Sequence, residues 1–247
     1  MGCLNVLVLY DIHGNIDALD AVLADPRAAG SDAVVIGGDT VPGPFARASL
    51  DRIDALPVPV HRVRGNGERE TAEAVGAGPP PAGDDLAGVT AAMSAGQLGA
   101  ERAQALGGLP LTLKLDGVVY CHATPRADDE MLTRASTAER YAEALAGVDA
   151  QLVVAGHTHQ QHDRWVGGAR FINAGSVGLP YEGDGAARWL WVADGVPELR
   201  QTPYDAAAAG MRMLAAGWPD ERSVRGALIE PIAPTVVTDL FEQLARG

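Results

Sequence analysis

Seven residues of this 247-residue chain combine a type and a position that could do chemistry: Asp11, His13, Asp39, Asn66, His122, His157 and His159. Asp11 and His13 follow the apolar run NVLVLY, Asp39 follows AVVIGG, Asn66 follows VHRVRG, His122 closes VVYC, and His157 and His159 follow LVVAG. Each falls at the carboxyl end of a predicted strand, the edge at which the loops of an open α/β sheet converge on one crevice. Asp11 and His13 are separated by two, as are His157 and His159. In extended backbone each such pair projects from one side, so each loop could offer two donors at once. The donors are imidazole nitrogens, carboxylates and one amide oxygen, without a thiolate, a mix that suits borderline divalent ions such as Mn2+, Fe2+ or Zn2+. Taken singly the residues have plainer readings: Asp11 fits a turn before a helix, His122 a satisfied core histidine, and GHTH a polar turn. Together, after five successive strands, they point to one metal site.

The elements that must position these residues are legible as periodicity. In the first half apolar strand-like runs alternate with helix-like segments (NVLVLY then IDALDAVLAD, AVVIGG then ARASLDRIDAL, VPVHRV then ERETAEAV), which implies βαβ crossovers and a mostly parallel sheet. GAGPPPAGDD (76–85) interrupts the alternation, and a helical stretch near 95–108 follows, so 76–108 reads as an inserted loop-and-helix excursion. Strands dominate after Leu111. LTLKLD and VVYC are joined by Asp116-Gly117, a good hairpin signal, with further turns at Gly167-Gly168 and Asp194-Gly195. Residues 204–247 read as two or three terminal helices. Two sheets with helices outside would bury all the apolar runs, and the whole of 1–247 reads as a single domain.

Composition bounds the partners. Hydrophobic content is 47%, charged content 21% and formal net charge −13. That charge argues against bulk binding to nucleic acid or anionic membranes, since a phosphate backbone needs a basic footprint. No apolar run is long enough to cross a membrane, and no secretory signal is evident, so a cytoplasmic location is expected. Cys3 and Cys121 show no pairing or zinc-type spacing and are expected to be neither structural nor catalytic. Oligomeric state has no signature in the sequence.

DIHGN (11–15), GGDT (37–40), RGNGE (64–68), CHATP (121–125) and GHTH (156–159) together resemble the motif series of the calcineurin-like metallophosphoesterases, in order and in approximate interval. The resemblance implies an α/β fold, a four-layer αββα sandwich of two mixed sheets with helices outside and a metal site at the carboxyl ends of the strands. It also implies two divalent ions. Asp11, His13, Asp39 and His159 would hold one ion; Asp39, Asn66, His122 and His157 would hold the other, with Asp39 bridging. NAGSVGLPYEG (173–183) resembles a loop of small prokaryotic members with phosphodiesterase or phosphatase activity. Two such ions about 3.5–4 Å apart lower the pKa of a water between them and polarise the phosphoryl oxygens, so that hydroxide attacks phosphorus in line with the leaving oxygen. Their charge also reconciles an acidic chain with a small phosphorylated substrate. On this reading Asp39, Asn66 and His122 are catalytic, and Asn66 and Arg126 hold the substrate, Arg126 through its forked donors.

One position departs from the pattern. Most of the family places a proton-donating histidine after the asparagine, where this chain has Gly67. General acid assistance is worth ~10²–10⁴ in rate, or about 3–5 kcal/mol, so its loss should hurt poor leaving groups most. Phosphodiesters, phosphoanhydrides and activated monoesters are therefore the expected substrates. Glu68, His61 and His162 are the candidate substitute acids, although Glu68 also fits a helix's first turn and the two histidines fit strand interiors. Arg69 is a second candidate fork for phosphate. The competing functions are a binding or scaffold protein on the same fold, as the retromer scaffold subunit is, and a protein serine/threonine phosphatase. Retention of coordinating atoms at all seven ligand positions separates an enzyme from a scaffold, which is free to lose them.

Overall fold

The computed structural model describes residues 4–77 and 85–245. Cys3 and the proline-rich part of the 76–85 break lie outside them. The chain opens with β1 (Val6–Leu9), α1 (Ile16–Leu23), β2 (Ala33–Ile36), α2 (Ala46–Asp54), β3 (Val60–Arg62) and α3 (Asn66–Glu73). β1, β2 and β3 pair in parallel, as the βαβ alternation implies. The excursion folds as two helices, α4 (Leu86–Leu98) and α5 (Ala100–Gly107), where the periodicity suggested one. Gly99, at φ +82°, breaks the run in a backbone region that side chains rarely adopt.

The strand-rich half follows: β4 (Thr112–Leu115), β5 (Val118–Cys121), α6 (Ala138–Ala144), β6 (Leu152–Ala155), β7 (His162–Val166), β8 (Ala169–Asn173), β9 (Ala187–Ala193) and β10 (Val196–Thr202). All three expected turns join antiparallel neighbours, β4 to β5, β7 to β8 and β9 to β10. The strands form two five-stranded mixed sheets, ordered β10-β9-β1-β2-β3 and β4-β5-β6-β8-β7. β9 returns to the first sheet and pairs antiparallel with β1.

Layering follows from side-chain alternation along the strands. Val6 and Val8 of β1 point between the sheets with Val154, Ile172 and Leu190, while Leu7 and Leu9 point outward to Leu19 of α1 and Ile53 of α2. On the far side Val153 and Phe171 meet Tyr141 and Ala144 of α6. The result is the four-layer αββα sandwich. Tyr10 ties the two sheets, its hydroxyl donating to the Val154 carbonyl at 2.8 Å. Cys121 is free and buried, and burial pushes its thiol well above the usual range.

The C-terminal segment forms α7 (Ala206–Ala215), α8 (Glu221–Val224) and α9 (Pro234–Leu244). Met213, Trp218, Val224 and Leu228 pack with Leu179 in a separate apolar cluster. Glu242 of α9 accepts hydrogen bonds from Thr133 and Ser136 and pairs with Arg140, which fastens α9 to the second sheet's side. Among the described residues, no helix is long and apolar enough to cross a membrane.

Candidate metal centre

The seven ligand candidates do converge, by a local geometry different from the one their spacing suggested. Asp11, His13, Asp39, His157 and His159 all have left-handed backbone, with φ of 52°, 46°, 51°, 68° and 56°. The i,i+2 pairs therefore sit in tight turns rather than in extended strand. Among the described residues the only other non-glycine residues with positive φ are Asp116 and Asp194, in hairpin turns. Such conformations cost about 1–3 kcal/mol each and persist where the surroundings over-determine them. Here the surroundings are the neighbouring loops: Asp11 and His13 donate their backbone N–H groups to the carbonyls of Gly38 and Asp39 at 3.1 and 3.0 Å. Asn66 follows β3 through a short loop and is the first residue of α3.

The first sheet supplies Asp11, His13, Asp39 and Asn66, and the second supplies His122, His157 and His159, so the site spans the mouth of the sandwich. Two sets of ligand atoms each lie within 4.8 Å of one another: Asp11, His13 and His159, and Asp11, Asp39 and His122. Asp11 is common to both sets, whereas the family pattern would have Asp39 shared. Asp39 nevertheless reaches into both, its Oδ2 lying 3.7 Å from His13 Nε2 and 3.5 Å from His122 Nε2. The imidazoles divide in the same way, with ring centroids 4.9 Å apart for His13 and His159 and 5.1 Å apart for His122 and His157.

Backbone carbonyls set the tautomer of every one of these histidines. His13 Nδ1 lies 3.2 Å from the Pro42 carbonyl, His122 Nδ1 3.0 Å from that of Gly37, and His159 Nδ1 2.8 Å from that of Leu179. Each carbonyl accepts the Nδ1–H and leaves Nε2 facing the site. His157 is reversed: Nε2 lies 3.2 Å from the Asp129 carbonyl, leaving Nδ1. Outer partners of this kind are what orient metal-binding imidazoles. His13 Nε2 and His159 Nε2 then face each other at 3.1 Å. Asp11 Oδ1, Asn66 Oδ1 and His122 Nε2 are buried without a hydrogen-bond partner. An unsatisfied buried polar atom costs about 1–3 kcal/mol, and three acceptors turned inward together fit a cation, which satisfies them all. The residues present thus fit the divalent ions that the donor chemistry implied.

The charges are strongly coupled. Burial opposes the charge on Asp11, but the imidazoles of His159 and His122 hold its carboxyl well below the usual range. Burial pushes Asp39 up to about 8 against the pull of His122. His13 and His157 are lowered to about 3, chiefly by burial, so each is held as the neutral ligand form.

Glu68, considered above as a substitute acid, has another role. Its buried carboxylate accepts the backbone N–H groups of Asp39, Gly65 and Thr40 at 2.7, 2.9 and 2.8 Å, tying the Asp39 loop to the start of α3. Gly67 donates its N–H to Asp39 Oδ1 at 2.8 Å, at the positive end of the α3 dipole. A Cβ on Gly67 would lie 2.1 Å from the Val41 carbonyl oxygen and 2.6 Å from Pro42 Cδ, so the position has no room for a side chain. His61 lies on β3, and His162 Nε2 lies 2.7 Å from the Tyr141 hydroxyl. Neither lines the cleft at the ligands. Arg126 also departs from expectation. It is exposed and does not line the cleft, its fork being occupied by Glu130 and the Glu143 carbonyl. Arg69 is likewise held, by Asp128.

Several residues that serve the site carried weak signals or none. Within NAGSVGLPYEG, Ser176 donates to the Asp11 carbonyl at 2.7 Å and Asn173 donates to the Gly156 carbonyl, so that loop buttresses both ligand turns. Asn15 caps α1 and donates to the Gly178 carbonyl at 2.8 Å. Over the ligands opens a cavity of about 230 Å³. Thr90 of the excursion and Met131 of the TPRADDEML loop line it, as do Tyr181, Trp218, Asp220 and Phe241. The contribution of the C-terminal helices was not signalled by any motif.

A family model described as the calcineurin-like phosphoesterase superfamily domain matches residues 4–192. Among solved structures, a metallophosphoesterase from Sphaerobacter thermophilus is similar with a TM-score of 0.73 at 24% identity, covering 93% of this chain and 100% of its own. A hypothetical protein from Pyrococcus horikoshii OT3 is similar with a TM-score of 0.73 at 19% identity, covering 93% and 99%. A cold-active protein-tyrosine phosphatase from a psychrophilic Shewanella species gives 0.51 at 16% identity, covering 80% of each chain. At these identities the likeness is one of fold. No match is found among curated proteins.

Proposed function

The chain belongs to the calcineurin-like phosphoesterase superfamily, and from that premise we propose that it is a dinuclear-metal phosphoesterase acting on phosphodiesters, phosphoanhydrides or activated phosphomonoesters. The observation that carries this reading is the convergence of Asp11 Oδ1, Asn66 Oδ1 and His122 Nε2, buried and unpartnered, among imidazoles whose tautomers are fixed by backbone carbonyls. Bound divalent ions supply Lewis acidity toward phosphate and activate water near neutral pH. The chain's own residues do the rest. His13 and His159 would hold one ion, Asn66, His122 and His157 the other, with Asp11 beside the first and Asp39 reaching toward both. Glu68 and the Gly67 N–H keep the Asp39 carboxylate aimed into the cleft.

Substrate scope follows from residue 67. As the new bond to phosphorus forms and the bond to the leaving oxygen breaks, position 67 has no proton to give, and the candidate substitutes His61 and His162 lie off the cleft while Glu68 is committed to backbone N–H groups. The departing oxygen must leave as an anion or take its proton from solvent. Good leaving groups tolerate this, and unactivated alkyl monoesters do not. Mn2+, Fe2+ and Zn2+ are the ions best matched to the donors. The test is elemental analysis after loading with each ion, followed by a panel of phosphodiesters, anhydrides and monoesters. Two ions per chain and turnover of activated esters are expected. A loaded, folded protein that turns over none of the panel would point instead to a binding role on this fold.

A further inference from the structure

The cleft has a second wall, and it is built from chain that the family model does not match. α7 to α9 lie beyond residues 4–192, and Trp218, Asp220, Ser223 and Phe241 from this segment face the ligands across the cavity. Tyr181 connects the two sides. Its ring stacks on that of His159 at 5.1 Å and 15°, and Phe241 meets it edge-on at 6.1 Å and 66°. An aromatic surface therefore runs outward from a metal ligand. It does not stop there, since an adjoining cavity of about 310 Å³ shares Tyr181, Asp220, Ser223 and Phe241 and continues to Arg222, Ile232 and Leu240.

Among the described residues no lysine or arginine lines the inner cavity, and its one charged group besides the candidate ligands is Asp220. The arginines near the ligand loops are engaged, Arg64 and Arg69 by Asp128 and Arg126 by Glu130. A phosphate held at the ligands would rest its ester group against the aromatic side chains of this wall, with Asp220 beside it in the inner cavity and Arg222 only in the adjoining one.

We propose that the substrate is a phosphoester whose organic group is aromatic, seated on Tyr181, Trp218 and Phe241. The proposal rests on the phosphoesterase reading and narrows it to esters with an aromatic organic group. Benzylphosphonate and methylphosphonate, which carry a C–P bond in place of the ester, test it as probes by calorimetric titration of the Mn2+-loaded protein. Burial of a phenyl group is worth roughly a tenfold or greater gain in affinity, so benzylphosphonate should bind at least ~10-fold more tightly. Phe241→Ala should reduce the benzyl-to-methyl ratio below about threefold, and Phe241→Leu, which keeps apolar volume if the alanine variant fails to fold, should reduce it partway. Equal affinities for the two probes would overturn the inference and leave the phosphoesterase reading standing. An undiminished ratio in either folded variant would also overturn it. Failure of both probes to bind would overturn the inference and the phosphoesterase reading together.

Discussion

Gly67→Ala is the smallest change that tests how the α3 terminus builds the site. The alanine methyl would lie 2.1 Å from the Val41 carbonyl oxygen, 2.6 Å from Pro42 Cδ and 2.9 Å from Asp39 Oδ1. Carbon makes comfortable contact at about 3.5–4.0 Å, so the helix start and the Val41–Pro42 loop must separate by ~1 Å or more. Overpacking of this kind costs about 1–3 kcal/mol. The same movement lengthens the 2.8 Å hydrogen bond from Gly67 N–H to Asp39, and bonds to charged groups contribute about 1.5–3 kcal/mol. Helix propensity works the other way, favouring alanine by about 1 kcal/mol. The net expectation is a loss of roughly 2–4 kcal/mol, which for a chain of this size lowers the melting temperature by about 4–16 °C. Because the disturbed bond orients a ligand carboxylate, Mn2+ affinity should fall by about 10–100-fold. Thermal unfolding of the metal-free protein and calorimetric Mn2+ titration read the two effects separately. Gly67→His, which would restore the family's usual residue, should behave at least as badly and gain no activity. A Gly67→Ala protein that melts within 2 °C of the parent and binds Mn2+ as tightly would refute the steric reading of this loop.

Other outcomes follow from the same contacts. With Mn2+ present, substituted aryl phosphodiesters should lose rate steeply as leaving-group pKa rises; a flat dependence with chemistry rate-limiting would reveal a proton donor that the cleft residues do not supply. Glu68→Gln leaves at least one of the N–H groups of Asp39, Gly65 or Thr40 facing an amide nitrogen, which should cost about 1–3 kcal/mol in denaturant unfolding and weaken Mn2+ binding. His162 is lowered to about 4, mainly by burial. The unfolded chain takes up this proton near pH 6.5 and the folded chain only near 4, so the stability it contributes is complete above the upper value and is lost as pH falls through that window. Chemical denaturation at pH 7 and pH 4.5 should show about 2–3 kcal/mol less loss for His162→Gln than for the parent, and equal losses would remove His162 from the account.

Much of the site was legible because its residues are local punctuation at strand ends. DIHGN, GGDT and GHTH each pair a strand-length apolar run with a donor-rich turn, and Asp116-Gly117 and Asp194-Gly195 announce hairpins that β4–β5 and β9–β10 form. What stayed hidden depends on contacts distant in sequence. The antiparallel return of β9 beside β1 is a choice among equally apolar neighbours. Glu68 looks like an ordinary first-turn acid until Asp39 and Thr40 are seen to donate to it. Arg126 carried the right chemistry for phosphate, but Glu130, one helical turn's length away in sequence, captures it. Trp218 and Phe241 belong to a segment with no motif, and only its docking onto Leu179 and Tyr181 brings them over the ligands.

The left-handed backbone at Asp11, His13, Asp39, His157 and His159 gives each of these positions two independent specifications, a donor atom and a sign of φ. Aspartate, asparagine and histidine enter that region more readily than most side chains, and glycine enters it freely. Alanine scanning would therefore confound two losses here, the ligand and the conformation. Glycine at the same positions removes the ligand while relaxing the chain, so a glycine variant of Asp11 or His159 can be more stable than its alanine counterpart although both lack the donor. Mutational drift is channelled in the same way. A descendant of this protein freed from any need to bind metal would still be steered at these five turns toward glycine and asparagine. An asparagine found there in a relative would then record the shape of the turn as much as any surviving chemistry.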